Sequence, residues 1–125
     1  MAILMVSTAN DFLADELAPV LEATGHTVVR TVDGPDTCIQ AAALKADFVF
    51  LDAALPFMDG METAKRLHED PDVPDHVVVV LLTSAPPDTP QLEQTGIRFW
   101  LQPPLDAARL TDLIVNEMPP EGWLA

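Results

Sequence analysis

The segment that most constrains the fold of this chain runs from Phe48 to Gly60, FVFLDAALPFMDG. It opens with four consecutive apolar residues, and an apolar run without alternation predicts a strand that is buried on both faces of a sheet. Asp52 follows this run directly, Pro56 stiffens the loop after it, and Asp59 with Gly60 closes that loop. Open α/β sheets place their sites beyond the carboxyl ends of the strands. The segment therefore predicts a buried parallel strand that carries the Asp52 carboxylate to such a site.

The rest of the chain alternates between strand-like and helix-like segments. The predicted strands are Ala2–Val6, His26–Val32, Phe48–Leu51, Val77–Leu82 and Ile97–Leu101, of which the second alternates and is expected at a sheet edge. The predicted helices run from Asn10 or Asp11 to near Gly25, from Asp36 or Thr37 to Lys45, from Gly60 to about Glu69, from Gln91 to Thr95, and from Asp106 to about Met118. This alternation predicts a doubly wound α/β domain with a five-stranded parallel sheet and five helices. We expect one domain over residues 1–118, followed by a tail or the start of a linker over residues 119–125.

Local signals refine the predicted helices. Asn10 is suited to cap the first helix, and Thr8 with Asp11 fits a loose capping box. Pro19 lies inside that helix and removes one backbone hydrogen bond. The residues of the second helix that we expect to face the core are Ile39, Ala42 and Ala43.

Composition and charge limit the class of function. The formal net charge of −14 argues against binding to nucleic acid or to an anionic membrane. It is compatible with a basic partner or a salt-rich cytoplasm, and the favoured interpretation is a well-solvated acidic surface. The single cysteine, Cys38, excludes a disulfide framework and is expected to be a small core residue. The chain has no apolar stretch of transmembrane length and no basic segment before an apolar run, so we expect a cytoplasmic protein without a signal peptide. The three histidines, which show no metal-ligand spacing, are His26, His68 and His76.

The loop Leu55-Pro56-Phe57-Met58-Asp59-Gly60, placed after an apolar strand and Asp52, resembles the receiver domain of two-component response regulators. The resemblance covers nearly the whole chain. It implies a flavodoxin-like (CheY-like) sheet with strand order 2-1-3-4-5. It makes Asp52 the phospho-acceptor position and Thr83 the hydroxyl position that binds a phosphoryl oxygen. It also places Trp100 at the aromatic position of the fifth strand that changes orientation on activation. A hydroxyl that satisfies a turn at Thr83 and simple core packing at Trp100 are the alternatives.

Two parts of the receiver pattern are absent. An acidic pair that holds a divalent cation should follow the first strand, but Ser7 and Thr8 stand there, or Thr8 and Ala9 in the other register. A lysine should precede the proline after the fifth strand, but Pro103 stands there, before Pro104. Magnesium is normally held by carboxylates, so we expect weak metal binding or none, with Asp11 and Asp52 as weak candidate ligands. Arg98 is a remote candidate for the missing positive charge.

The missing groups have further consequences. Clustered carboxylates repel one another when no metal is bound, and the two hydroxyls that replace them could instead form hydrogen bonds with Asp52. The loop after Thr83 carries three prolines, which predict a short or partly unwound fourth helix and a fixed rather than a switching surface. These prolines are Pro86, Pro87 and Pro90.

Three functions are compatible with this pattern. The first is a degenerate receiver, or pseudo-receiver, that is not an enzyme, needs no cofactor and acts by contact with a protein, such as a histidine kinase or an output domain, with a homodimer left open. The alternative is a receiver that accepts a phosphoryl group on Asp52 from a histidine kinase, with Mg²⁺ as its cofactor. The third is a flavin-binding electron carrier of the same architecture. The loop from Ser7 to Asn10, however, lacks the glycine that close approach to a phosphate requires.

Overall fold

The computed structural model of the chain describes residues 2–117. The predicted end of the last helix at Met118, the domain boundary there and the tail over residues 119–125 lie outside the described residues. The strands are β1 (Ile3–Ser7), β2 (Thr27–Thr31), β3 (Phe48–Asp52), β4 (Val78–Leu82) and β5 (Phe99–Leu101). The helices are α1 (Asp11–Glu22), α2 (Gly34–Leu44), α3 (Gly60–Glu69), α4 (Thr89–Thr95) and α5 (Ala107–Glu117).

The strands form one parallel sheet with the order β2-β1-β3-β4-β5, so the predicted fold class and strand order are confirmed and β2 lies at an edge. The register aligns the carboxyl ends of the central strands. Ser7 of β1 lies beside Leu51 of β3, and Asp52 lies beside Leu82 of β4. Two backbone hydrogen bonds continue this alignment past the strand ends, from the Ala53 N–H to the Leu82 carbonyl and from the Thr83 N–H to the Leu101 carbonyl, both at 3.0 Å.

The core consists of two apolar layers, one on each face of the sheet. Phe48 and Phe50 of β3 face the layer beneath α1 and α5, whereas Val49 and Leu51 face the layer beneath α2 and α3. All four side chains are fully buried. A strand that is buried on both faces needs apolar residues at successive positions, which explains the unbroken run in the sequence.

The inward face of α2 differs from the prediction. Ile39 is 65% exposed and Ala43 is exposed, whereas Thr37 and Ala41 are buried. Thr37 can face inward because its hydroxyl donates to the Asp33 carbonyl (2.7 Å) and lies 2.7 Å from the Thr31 hydroxyl. Ala42 is partly buried and packs against the core layer, as predicted, whereas the prediction was wrong for Ile39 and Ala43. The inward stripe of this helix is built from small and hydroxyl side chains.

The helix starts follow from their caps. Asn10 caps α1 by accepting hydrogen bonds from the Phe12 and Leu13 N–H groups. The Asp33 side chain caps α2 by accepting from the Asp36 N–H, so α2 begins at Gly34, two residues before the earliest predicted start. Helix α4 has only seven residues, which agrees with the expectation of a short fourth helix.

Candidate functional site

Asp52 lies at the carboxyl end of β3, at the edge of the sheet that the sequence pattern indicated, and its residue is half-buried. The start of α3 packs directly against this strand end. A Cβ atom on Gly60 would lie 2.6 Å from the Asp52 carbonyl oxygen and 2.7 Å from the Ala53 Cα, distances that only glycine avoids. The Gly60 N–H donates to the Ala53 carbonyl at 2.9 Å. The loop therefore holds the acceptor position in a fixed place.

Both oxygens of the Asp52 carboxylate accept hydrogen bonds. The Thr8 hydroxyl donates to Oδ2 at 2.6 Å, and the Ala54 N–H donates to Oδ1 at 2.9 Å. The Thr8 hydroxyl also accepts from the Asn10 N–H at 3.0 Å, so it does not take part in the loose capping box. Thr8 is fully buried. These contacts orient the Thr8 hydroxyl so that its proton points at the Asp52 carboxylate.

Ser7, the other residue at the acidic-pair position, directs its hydroxyl to the edge strand β2 rather than to Asp52. Its hydroxyl accepts from the Thr31 hydroxyl of β2 at 2.8 Å. Ser7 and Thr31 are both buried, and this bond ties β1 to the edge strand. Of the two hydroxyls expected near the carboxylate, that of Thr8 contacts Asp52 and that of Ser7 contacts Thr31.

Asp11, a weak candidate metal ligand, is engaged by Arg30. The Arg30 guanidinium Nη2 lies 2.9 Å from Asp11 Oδ1, and the Asp11 side chain is 82% exposed. The same nitrogen donates to the Thr8 carbonyl at 3.1 Å. Sequence reasoning missed Arg30. The signal that was available is a lone cation in β2, where it pairs with Val6 close to the end of β1.

Thr83 follows β4 directly, so its backbone lies at the same sheet edge as Asp52. Its hydroxyl forms a local turn, in which it donates to the Ala85 carbonyl at 3.1 Å and lies 3.3 Å from the Ala85 nitrogen. Trp100 of β5 is half-buried and packs against the core layer beneath α2 and α3. Trp100 therefore lies on β5 and Thr83 directly after β4, as expected, and the Thr83 hydroxyl is hydrogen-bonded within its own loop.

Pro103 stands two residues after β5, and the peptide bond between it and Pro104 is cis. Proline has no charge and no side-chain donor. Arg98 does not replace the missing lysine, because its N–H donates to the carbonyl of Val79, near the opposite end of the sheet. Its guanidinium Nη2 instead lies 2.8 Å from Glu117 Oε1.

The donor set at this edge consists of one carboxylate, hydroxyl groups and backbone N–H groups. Within residues 2–117, no three His, Cys, Asp or Glu side chains are grouped closely enough to hold a metal ion. None of the helices in that part of the chain is long and apolar enough to cross a membrane.

Comparisons with known proteins agree on the family. The response regulator receiver domain family matches residues 3–115. The polar-differentiation response regulator DivK of Brucella anthropi is 24% identical over 112 residues, which cover 88% of this chain and 90% of that protein. Protein PilH of Pseudomonas aeruginosa is 27% identical over 101 residues, which cover 79% of this chain and 83% of that protein.

Solved structures share the fold. The chemotaxis protein CheY4 of Vibrio cholerae superimposes with a TM-score of 0.84 at 18% identity, covering 94% of this chain and 99% of that one. The receiver domain of the Pseudomonas aeruginosa sensor histidine kinase PA1611, which has a magnesium ion coordinated in its active-site cleft, gives a TM-score of 0.81 at 19% identity, with 92% and 95% covered. With the family matched over nearly its whole length, this chain belongs to the response regulator receiver domain family of two-component signalling.

Proposed function

We propose that this receiver acts through contact with a partner protein, in the cytoplasm, without conventional Mg²⁺-dependent phosphorylation of Asp52. In this role it is not an enzyme and needs no cofactor. The observation that supports the proposal most directly is the hydrogen bond of 2.6 Å between the buried Thr8 hydroxyl and the carboxylate that would have to attack phosphorus.

Charge is the main obstacle to phosphorylation. A carboxylate must approach a phosphoryl group that is itself anionic, so catalysis depends on positive charge placed around the transferred group. Pro103 offers none at the lysine position, and the guanidinium of Arg30 is already paired with Asp11. Asp52 also donates electron density to the Thr8 proton, which weakens it as a nucleophile. The site therefore lacks the compensation that phosphoryl transfer needs.

The residues present also fit Mg²⁺ poorly. This ion demands near-ideal octahedral oxygen coordination and is usually bound through one or two carboxylates together with phosphate oxygens and water. Here the Asp52 carboxylate accepts from Thr8 and Ala54, and Asp11 pairs with Arg30. The receiver domain of PA1611, which has the same fold, does coordinate a magnesium ion in its active-site cleft. The donor set supports a receiver that works without it.

One observation favours the alternative. Asp52 and Thr83 remain at adjoining strand ends, where a phosphoryl group on the carboxylate would find a hydroxyl if the turn with Ala85 opened. A histidine kinase and Mg²⁺ would then supply the phosphoryl group and the missing charge. The two functions make opposite predictions about the same carboxylate.

Intact-protein mass spectrometry after incubation with acetyl phosphate and Mg²⁺ tests the proposal. We expect no modification of the native chain, and stoichiometric modification that Asp52→Asn abolishes would overturn the proposal. Thr8→Asp is the matched variant, because it places a second carboxylate beside Asp52. We expect Mg²⁺ to raise the melting temperature of Thr8→Asp in a saturable way and to leave that of the native chain unchanged. A saturable response of the native chain would also count against the proposal.

A further inference from the structure

We propose that the groove between α2 and the β3–α3 loop is a docking surface for a basic amphipathic helix of a partner protein. This inference rests on the proposed function, since it names the surface through which the receiver would act. The groove has a volume of about 680 Å³. Its apolar lining comes from Pro35, Ile39, Phe57 and Met58.

The apolar side chains of this groove are unusually exposed. Phe57 is 91% exposed and Ile39 is 65% exposed, and both line the same depression. Single exposed apolar residues are common on protein surfaces, but a shared patch beside a concave surface marks a site of interaction. Aromatic residues are also enriched among those that anchor protein interfaces. The patch therefore has the composition of a binding surface.

The backbone of Phe57 strengthens this argument. Its φ of 67° lies in the left-handed region, where glycine is favoured and a side chain with a Cβ atom is strained. The side chain gains no burial in return, because it lies almost entirely in water. Residues held in such sparsely populated backbone conformations cluster at ligand-binding and switch positions. The position thus holds an aromatic side chain where folding alone would favour glycine.

The groove is formed by tightly packed elements. A Cβ atom on Gly34 would lie 2.5 Å from the Thr63 hydroxyl and 2.8 Å from the Met58 Cβ, so the start of α2 touches both the loop and α3. The Gly34 N–H also donates to the Pro56 carbonyl at 3.4 Å. A surface built in this way changes little on binding, so less conformational entropy is lost when a partner docks.

Charge selects the partner. Asp59 and Glu62 line the groove, and Asp33 and Asp36 lie at the start of α2 beside it. Arg66, the cation in the lining, lies 3.2 Å from Glu62, and the two charges offset each other. The negative charge of the rim therefore comes from Asp59, Asp33 and Asp36. A second copy of this chain would bring the same acidic rim and a net charge of −14 to the contact. A helix with apolar residues on one face and Lys or Arg beside them matches both the apolar floor and the acidic rim.

Cys38 provides a reporter inside the groove. It is the only cysteine of the chain, it is half-buried, and it lines the same depression as Phe57. Burial raises the pKa of its thiol, so labelling is best followed in mildly alkaline buffer. A helix bound in the groove would cover the thiol and slow its reaction with a maleimide.

The test uses a synthetic Leu/Lys amphipathic helical peptide, with a Leu/Glu peptide of the same apolar pattern as control. We expect the Leu/Lys peptide to bind in a calorimetric titration and to slow Cys38 labelling, and the Leu/Glu peptide to do neither. Phe57→Gly should weaken binding roughly tenfold. Phe12→Ala, which removes an aromatic side chain that is 87% exposed on α1, should leave affinity unchanged.

Three outcomes would overturn the inference. One is equal affinity in the native chain and Phe57→Gly, and another is an equal loss in Phe57→Gly and Phe12→Ala, which would indicate non-specific attraction. The third is a dimer in sedimentation experiments that Phe57→Gly dissociates, which would make a second copy the occupant. If the groove fails while Asp52 stays unmodified by acetyl phosphate, the proposed function survives with a different surface. If Asp52 is modified, the proposed function fails whatever the groove binds.

Discussion

Thr8 replaces a charge with a proton donor at the point where the resemblance implied a carboxylate. A hydroxyl that donates to a carboxylate at 2.6 Å forms a charge-assisted hydrogen bond, which is stronger than a bond between neutral groups. Such a bond contributes about 1.5 to 3 kcal/mol to stability. In this receiver, the hydrogen bond between Thr8 and Asp52 therefore stabilises the strand ends. An acidic pair beside Asp52 would instead place three carboxylates there, and these would repel one another.

We expect Thr8→Val to lower the free energy of unfolding by about 2 kcal/mol, because valine keeps the shape of the buried side chain and removes its donor. Urea denaturation followed by circular dichroism measures this change, and Thr8→Ser should restore most of it. Thr111→Val is the control, since that hydroxyl donates to the Ala107 carbonyl within its own helix in a solvent-exposed hydrogen bond. If Thr8→Val is as stable as the native chain, the bond to Asp52 contributes nothing to folding.

His26 introduces a dependence on pH. Its Nδ1 accepts a hydrogen bond from the Ala2 N–H at 3.1 Å, which requires an unprotonated nitrogen. Burial lowers the pKa of His26 most, the amino-terminal charge lowers it further, and Asp47 raises it. The folded protein thus binds this proton more weakly than the unfolded chain does. The contribution of His26 to stability is complete above its ordinary pKa of 6.5 and is lost as the pH falls below that value.

His26→Asn should therefore reduce the loss of stability on acidification, because asparagine offers an acceptor that does not titrate. Melting temperatures at pH 8 and at pH 5.5 measure the effect for both proteins. We expect the native chain to lose more stability than the variant over this interval. Equal losses would show that protonation of His26 is not linked to unfolding, whatever the carboxylates contribute to both curves.

The contrast between Asp52 and Arg30 shows what a sequence can reveal about a site. Asp52 was identifiable because it directly follows a buried strand, and a strand end has a defined place in a parallel sheet. Arg30 was not, because its long side chain reaches from β2 to Thr8 in the loop after β1, 22 positions away in the sequence. The spacing of two residues in the sequence does not show whether a long arginine side chain on one strand contacts the other residue.

At the scale of elements, prediction succeeded where burial demands a distinctive pattern. Strands β3 and β4 are unbroken apolar runs, and their observed limits differ from the predicted ones by a single residue. On helix α2 only Ala42 of the three predicted inward residues packs against the core. The buried Thr37 and Ala41 were missed because they are neither large nor uniformly apolar. A helix that packs through small and hydroxyl side chains gives no strong apolar period.

Pro19 provides a prediction at the same scale. It lies inside α1 and is exposed, and it lacks the N–H that would donate to the Asp15 carbonyl one turn earlier. We expect Pro19→Ala to raise the free energy of unfolding by about 1 to 2 kcal/mol, the gain in helix propensity less the greater freedom of the unfolded chain. Urea denaturation measures this gain.

Pro35→Ala is the matched control. Pro35 stands in the first turn of α2, where proline sacrifices no intrahelical bond. This substitution should leave stability unchanged or lower it slightly, by less than about 1 kcal/mol. If Pro19→Ala gave no gain over Pro35→Ala, the missing bond in α1 would be compensated by water or by a local change in the helix.

The whole molecule carries more negative charge than its ion pairs neutralise. Six Lys and Arg residues face twenty Asp and Glu residues in the sequence. In the part of the chain that the structure describes, the pairs involving arginine are Arg30–Asp11, Arg66–Glu62 and Arg98–Glu117. Like charges that remain unpaired on one small domain repel one another and destabilise the compact state. This repulsion also opposes self-association, which agrees with the choice of a basic partner for the groove.

Salt should therefore stabilise this protein. Raising NaCl from about 0.01 M to about 1 M shortens the Debye length from about 30 Å to about 3 Å, so repulsion between surface carboxylates is largely screened. We expect the melting temperature to rise by roughly 5 °C, which corresponds to about 1 kcal/mol for a domain of this size. Differential scanning calorimetry at several salt concentrations measures the slope.

A variant with reduced charge tests the cause of that slope. Asp75→Lys combined with Glu93→Lys changes two exposed acidic residues. Each substitution removes one negative charge and adds one positive charge, so each makes the formal net charge of −14 less negative by two. Since repulsion is then weaker at the outset, the variant should melt at a higher temperature in low salt and respond less to added NaCl. A slope equal to that of the native chain would mean that chloride or sodium acts by another route, such as specific binding. The smaller slope would show that repulsion among the surface carboxylates lowers the stability of the isolated receiver.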